Sequence, residues 1–566
     1  MKSLTHSLIT MCIFIAAAAL LVLYLISMYW HVYLSSAIFW IAIVSMLGTV
    51  TYQCFAIKLT SSYTKVVLLE IVVTSFLLHM IYQIPYYGLR GYDNFIDMAS
   101  SKGILSTGFV IGQPEYVNVT SYFPIVHILG SVLSLITGIN LFSVAKWFPS
   151  LFDTALILLL YLLVRRIFKE EKIALLSILM FAFLENHILL SSLFIRETIA
   201  LVLAVGCLYL YFSAKQSTSP ASCYALSIVF LMETVFAHHL TSFMLLIFLA
   251  TQFLVTRMFE VPFFWRVFSG RKIEGEKVTT IFLSLSFVAL LSYWIFIVTS
   301  PLYDLVQFIG DLFTPSLYGV TSYAATTGIS GTSIRTIRGN IVFYGFYMFN
   351  LIFGLILLYG LSRRAKNRRT ETYSFTLFLF ISGLTGFLSL YLVAPAAFPE
   401  RFLMFGWLFG FAPLVATVLK NKYKWLRKGC VLLLIAFMLY NIYLIDPIDY
   451  NPRAEGVVMV VSKEDYSLSR TFDFSNVKIY GHQNALMAIY DVHNNLGTVF
   501  ALSSRANLTN FDWVIIEKKA LELEEKYYPE PRTITIAALE RLATEGSADY
   551  NRIYDSNSLS AFKLRP

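Results

Sequence analysis

The sequence predicts a polytopic α-helical membrane protein with a small C-terminal α/β domain outside the cytoplasm. Three observations predict this. The chain is 57% hydrophobic and only 14% charged, with mean hydropathy +0.69, whereas soluble domains are about a quarter charged. Its apolar runs are unbroken rather than alternating, so they read as helices, which satisfy their own backbone in lipid. After Ile445 the composition turns water-soluble. From Asp446 onward 13 Lys and Arg stand against 17 Asp and Glu, a net of −4, which leaves +13 of the total +9 on the membrane part. That excess marks cytoplasmic loops and not a nucleic-acid surface.

Thirteen spans follow in order: Ser7–Met28, Tyr33–Ile57, Val66–Gln83, Trp147–Val164, Ile173–Leu184, Thr198–Phe212, Ala221–Phe236, Leu240–Val255, Val278–Val298, Ile341–Leu361, Tyr373–Val393, Phe402–Val418 and Cys430–Ile445. The first is long enough to cross and has no small-residue cleavage site after it, so it reads as a span and not a cleaved signal. Four basic clusters, Arg165-Arg166, Arg257 to Lys277, Arg363 to Arg369 and Lys420 to Lys428, alternate with the spans if all lie in the cytoplasm. The N-terminus is then inside. The loops 84–146, 185–197, 237–239, 299–340 and 394–401 are outside with the tail. Phe123–Ile139 is apolar enough to cross, but counting it would invert the orientation of everything before it. It is expected to lie in the outer interface, with Pro124 in its first turn. Glu70, near Lys65, is expected to snorkel at the cytoplasmic end.

Residues 1–445 thus form the membrane domain and 446–566 the soluble one. In the latter, Gly456–Val461, Val477–Tyr480 and Trp513–Glu517 read as strands, and Ala520–Lys526 and Ile536–Ala543 as helices. The end alternates around an Asp555–Asn557 turn as a hairpin. The five cysteines lie in or beside apolar runs and suggest neither a disulfide framework nor a zinc site.

The stretch 84–122 is the first long polar interruption, and it carries Arg90, Asp93, Asp97, Lys102 and Glu115. With the topology above, Lys146, Asp153, Glu185, His187, Arg196, Glu197, Glu233, His238, His239, Arg335, Arg338, Glu400 and Arg401 lie on or near the same outer side. Ionisable groups at membrane depth are costly, so they are candidates for function. Carboxylates mixed with Arg, Lys and His suit an anionic lipid headgroup and an acid–base step. Asp93 and Asp97 share a helix face at a spacing of four. Arg196-Glu197 also reads as an ion pair at a helix start, and the adjacent His238 and His239 point apart, a poor metal pair by themselves. Phosphate-loop, HExxH and GxSxG motifs are absent from the sequence.

The order of GYDNFIDMASSKGIL, FPIVHILGSVLSLITG, VAKWFPSLFDTALILLLYLLVRRIF, FIRETIALVLAVGCLYLYF and PERFLMFGWLFGFAPLVA resembles the GT-C superfamily of membrane glycosyltransferases. That superfamily includes dolichyl-phosphate-mannose protein mannosyltransferases and lipid A aminoarabinose transferases. The resemblance implies a hexosyl- or pentosyltransferase that moves a sugar from a polyprenyl-phosphate donor to a glycan, lipid or protein acceptor. It implies Asp93 as base, with Asp97 beside it, and Lys146 as a phosphate ligand. It also places an outer basic residue at Arg401. Arg196, Glu197, His238, His239 and Arg338 complete the expected substrate contacts. A monophosphate donor demands no cofactor, although Asp93, Asp97 and Glu197 could hold a divalent metal. Three spans precede the Asp loop where the family usually has one. The WWDxG pattern of oligosaccharyltransferases is missing, which argues against transfer of a whole oligosaccharide. The competing readings are an O-antigen-type ligase or polymerase, and a transporter with midplane charges and paired repeat halves.

Overall fold

The computed structural model describes residues 2–30, 34–56, 59–84, 89, 92–108, 122–214, 217–261, 277–298, 348–359, 370–392, 399–421, 423–445 and four strands. The helices are α1 Lys2–Tyr29, α2 Ser36–Ala56, α3 Ser61–Met80, α4 Tyr92–Thr107, α5 Ile125–Thr137, α6 Leu141–Phe168, α7 Glu171–Ala182, α8 Glu185–Ser191, α9 Arg196–Ala214, α10 Pro220–Ala237, α11 His239–Glu260 and α12 Lys277–Phe296. They continue with α13 Met348–Tyr359, α14 Thr370–Leu392, α15 Pro399–Leu419 and α16 Lys424–Ile445. Among the described residues ten helices are long and apolar enough to cross a membrane, or eleven if α7 and α8 form one bent span. The sequence expects thirteen. The difference arises where the described helices are short: α13, and the Tyr373–Thr385 part of α14. The chain is a multi-pass membrane protein.

Helix ends follow the local sequence. The Asn140 side chain accepts the Ser143 N–H at 2.8 Å and starts α6, while the Thr60 hydroxyl caps α3 by accepting from Tyr63 N–H. α6 stops at Lys169, a left-handed residue at φ 54°. The stretch 185–197, expected as a plain loop, instead holds α8. This short helix leaves α7 through a 69° bend, with the Glu185 N–H held by Asn441 Oδ1 at 2.9 Å.

α15 is the most enclosed of the candidate spans. Gly406 and Gly410 lie one turn apart on the face toward α14. A Cβ at either would meet a Leu379 methyl, at 2.9 and 2.8 Å. Small residues at this spacing let two helix backbones approach closely without a hydrophobic drive between them. The outward faces carry exposed Leu8, Ile15, Leu69, Leu254 and Leu432, as suits helices solvated by lipid. Glu70, expected to snorkel, is instead 4% exposed and accepts a hydrogen bond from Gln53 Nε2 at 3.3 Å. Packing of α3 on α2 buries its head where the Lys65 cue pointed outward.

α4 and α5 are not long enough to span. A second apolar core of Phe95, Met98, Val126, Leu141, Phe194 and Ile199 lies beneath them. α5 buries Val126, His127, Gly130 and Ser131 and exposes Leu135 and Ile136 at 71% and 78%. That two-faced pattern suits the interfacial helix the sequence predicts.

The bundle has two chemically distinct ends. At one, Arg165 Nε meets Glu171 Oε1 at 2.6 Å and Lys420 Nζ meets Glu170 Oε2 at 3.5 Å. Two of the four basic clusters therefore share that end. At the other lie the first residues of α9 and α15. Lys420→Cys should react with a membrane-impermeant maleimide from the cytoplasmic side, and Ile139→Cys from the opposite side. Labelling of both from one side would remove the predicted orientation. Positions 335, 338 and 363–369 lie outside the described residues.

At the C-terminus β1 Ile479–Gly481, β2 Trp513–Glu517, β3 Tyr550–Asp555 and β4 Leu559–Leu564 form a mixed sheet in the order β1-β2-β4-β3. β1 runs parallel to β2, and β2 antiparallel to β4. The terminal hairpin pairs Tyr550 with Leu564 and Asp555 with Ser560; residues 556 and 557 of the expected turn lie outside the described residues. The helices expected at 520–526 and 536–543, and the strand at 456–461, lie outside the described residues.

Candidate active site

Asp93 stands in the first turn of α4, where a carboxylate is favoured by the helix dipole, and it is half-buried. One turn on, Asp97 is fully buried. Its Oδ1 meets His127 Nε2 of α5 at 2.8 Å and Arg196 Nε at 3.2 Å. Its Oδ2 accepts the Arg196 backbone N–H at 3.2 Å. Both oxygens are therefore engaged, and one side chain ties α4, α5 and the start of α9 together. Close packing supports the tie. A Cβ on Gly130 of α5 would clash with the Phe194 ring, so glycine is what lets α5 seat there. Asn94 Oδ1 accepts the Phe194 N–H at 3.2 Å, and Ser131 Oγ donates to Ser101 O at 2.9 Å.

Arg196 and Glu197 open α9 with little exposure, 9% and 1%. Arg401 Nη1 from α15 reaches Glu197 Oε2 at 3.4 Å. Glu197 also lies in the field of Asp93 and Arg196. Neither Glu197 oxygen makes a hydrogen bond among the described residues. His238 and His239 join α10 to α11, with ring centroids 4.8 Å apart, and both feel Arg196 and Arg401. Burial, with His239, Arg196 and Arg401 nearby, holds the His238 imidazole well below its ordinary 6.5. It is therefore neutral at neutral pH, with Nδ1 paired to Thr241 Oγ1 at 2.9 Å. His239 packs on Phe123, which precedes α5, at 5.3 Å.

The structure thus gathers Asp93, Asp97, Arg196, Glu197, His238, His239 and Arg401 from α4, α9, the α10–α11 junction and α15. Lys146 is buried on α6 with Nζ 5.4 Å from the Trp147 ring centroid. Arg338 lies outside the described residues, as does the 301–340 loop. Of the carboxylates expected to hold a metal, Asp97 is occupied by His127 and Arg196, and Glu197 faces Arg401. Sequence reasoning passed over His127 and Asn94. The signal for His127 was a lone imidazole inside the apolar run FPIVHILG. A second buried group lies on α3, α6 and α8: Asp153, His79 and His187, within hydrogen-bonding range of Ser75.

No protein-family model matches the chain, and no curated protein matches it. Solved structures do. One is ArnT from Cupriavidus metallidurans bound to undecaprenyl phosphate, with 11% identity over 89% of this chain and 98% of that one, at TM-score 0.50. Another is the archaeal oligosaccharyltransferase AglB from Archaeoglobus fulgidus in complex with an inhibitory peptide and a dolichol-phosphate. It has 13% identity over 82% of this chain and 70% of that one, at TM-score 0.48. The order of helices, the paired non-spanning helices α4 and α5, and the match along nearly the whole length of ArnT agree: this chain has the fold of the GT-C membrane glycosyltransferases.

Proposed function

We propose that the protein is a membrane glycosyltransferase that moves a single sugar from a polyprenyl-phosphate donor to an acceptor hydroxyl on the outer face, with inversion and with Asp93 as base. One observation carries this reading. Asp93 is a half-buried carboxylate beside the cluster of Arg196, Glu197 and Arg401, at the end of the bundle opposite the Arg165 and Lys420 clusters. A lipid-linked sugar and a water-side acceptor meet at such a boundary.

The chemistry follows from the groups present. Asp93 accepts the acceptor hydroxyl proton, and the oxygen attacks the anomeric carbon. The bond from that carbon to the phosphate oxygen breaks with its electron pair, so polyprenyl phosphate leaves. One carboxylate suffices for such a single displacement, as in the inverting logic of glycosidases. The leaving phosphate gains charge, which Arg196 and Arg401 stabilise as it develops. Lys146 extends this role if the polyprenyl phosphate reaches along α6. The neutral His238 offers a hydrogen-bonding group without adding charge. ArnT, bound to undecaprenyl phosphate, makes a polyprenyl phosphate the natural first ligand to try.

The experiment is transfer from a radiolabelled polyprenyl-phosphate sugar by the purified protein. Release of polyprenyl phosphate with label in the acceptor supports the reading. Movement of intact donor without release would identify a transporter. Arg401→Ala should weaken donor binding roughly ten- to hundredfold, as expected for losing a charged hydrogen bond worth about 1.5–3 kcal/mol. The check is a titration in nanodiscs. Unchanged affinity would take Arg401 out of the phosphate site.

A further inference from the structure

His79, Asp153 and His187 lie apart from the proposed transfer chemistry, and their ligand atoms all fall within 4.8 Å of one another. They come from α3, α6 and α8, and all three are at most 1% exposed. His187 Nε2 stands 2.8 Å from Asp153 Oδ1, and His79 Nδ1 stands 3.4 Å from Asp153 Oδ2. The Ser75 hydroxyl donates to Asp153 Oδ2 at 2.6 Å. These are the contacts of the Asp153 carboxylate, with no Lys or Arg beside it among the described residues. A carboxylate enclosed by apolar helices is expensive unless its charge is answered.

The arrangement of the three side chains points to what answers it. His187 Nε2 and Asp153 Oδ1 face each other at 2.8 Å, and the His79 ring also meets the backbone of His187. One nitrogen of each ring is also held by another group. His79 Nδ1 lies 2.7 Å from the Ser75 carbonyl oxygen, which only accepts, so a proton sits on that nitrogen. His187 Nδ1 lies 3.0 Å from Ser191 Oγ. Metal-binding histidines are typically oriented this way, with one nitrogen on a carbonyl or hydroxyl and the other on the ion.

We propose that His79, Asp153 and His187 form a buried binding site for a divalent transition-metal ion of the zinc class. Two imidazoles and one carboxylate are a donor set that suits zinc, with room for a further ligand. The ion fastens the bent α7–α8 segment to α3 and α6. Its consequence reaches the transfer site through the chain. His187 stands nine residues before Arg196, and Thr198 Oγ1 at the start of α9 donates to Leu193 O at 2.9 Å and Leu190 O at 3.2 Å. Holding α8 therefore holds the beginning of α9, from which Arg196 and Glu197 project. These three residues are positioning groups and not catalytic ones.

The test uses the full chain, purified without a polyhistidine tag and incubated with zinc sulfate before removal of free metal. Mass spectrometry of metals should find about one equivalent of zinc per chain, falling below about a tenth in His79→Ala and His187→Ala that still elute as monodisperse protein. Cobalt(II) loaded in place of zinc should give the visible absorption of a low-coordinate nitrogen–oxygen site, altered in Asp153→Asn. Should a variant fail to fold, the wild-type chain decides alone. Chelator treatment should lower its melting temperature and zinc should restore it. Wild-type protein that holds less than about a tenth of an equivalent and melts the same with and without chelator overturns the proposal. So does full zinc content in both folded histidine variants. None of these readings depends on sugar transfer, so a failed transfer assay leaves them intact.

Discussion

Asp93→Asn is expected to slow sugar transfer by about 10²–10⁴-fold, the usual loss when a general base is removed. The amide keeps the shape of the carboxylate and its place in the first turn of α4 but accepts no proton at working pH. Donor affinity should hold, because the phosphate contacts proposed here come from Arg196, Arg401 and Lys146. The effect belongs in the rate of the bound complex and not in donor binding. Stability should move little, since Asp93 is half-buried and sits at the rim of the cluster. The measurement pairs single-turnover transfer with a donor titration on the same preparation. A variant that transfers at the wild-type rate ends the assignment.

Asp97→Ala is expected to damage the fold more than any other single change in the cluster. The carboxylate is fully buried and meets the Arg196 side chain, the Arg196 backbone and His127. Truncating it leaves a guanidinium and an imidazole enclosed without their partner, and breaking a buried ion pair in this way costs about 3–5 kcal/mol. Thermal unfolding in detergent reads that loss. Asp97→Asn keeps one oxygen for His127 Nε2 and Arg196 Nε but turns its NH2 to the Arg196 backbone N–H, so it should be milder than Asp97→Ala in stability and in rate. A different outcome would be informative. If Asp97→Asn melts like the wild type yet loses transfer as deeply as Asp93→Asn, the base lies one helical turn along α4. An Asp97→Ala chain that melts unchanged would remove the structural role instead.

The membrane architecture was legible because hydropathy and helix length are properties of a single segment. Phe123–Ile139 could be set apart from the spans because counting it as one broke the alternation of basic clusters. What escaped the sequence depends on pairs. The break between α7 and α8 falls at Phe183-Leu184, apolar residues with no proline or glycine to announce a bend. The Glu-Asn-His that follows imitates a loop. Glu70 was misplaced for the same reason: its partner, Gln53, is on another helix. Asp93 and Asp97 look alike in sequence, four residues apart with similar neighbours. Only tertiary contacts separate a buried carboxylate with both oxygens engaged from a half-buried one. The triad of His79, Asp153 and His187 spans more than a hundred residues of chain, and no spacing rule brings such residues together.

Helix α15 holds Arg401 at one end and reaches Lys420 at the other, both in ion pairs with the bundle. Nineteen residues of helix rise about 28 Å, close to the roughly 30 Å of hydrocarbon in an ordinary bilayer. The helix is therefore a measuring rod fixed in the bundle by the Arg401–Glu197 pair and by the close seat of Gly406 and Gly410 on Leu379. A thicker bilayer is not met by sliding it, because those contacts set its height. Mismatch must be absorbed by the lipid or by tilting the bundle as a unit. Acyl-chain length thereby becomes a variable of the outer cluster, acting on Arg401 and Glu197 with no ligand bound and no residue changed.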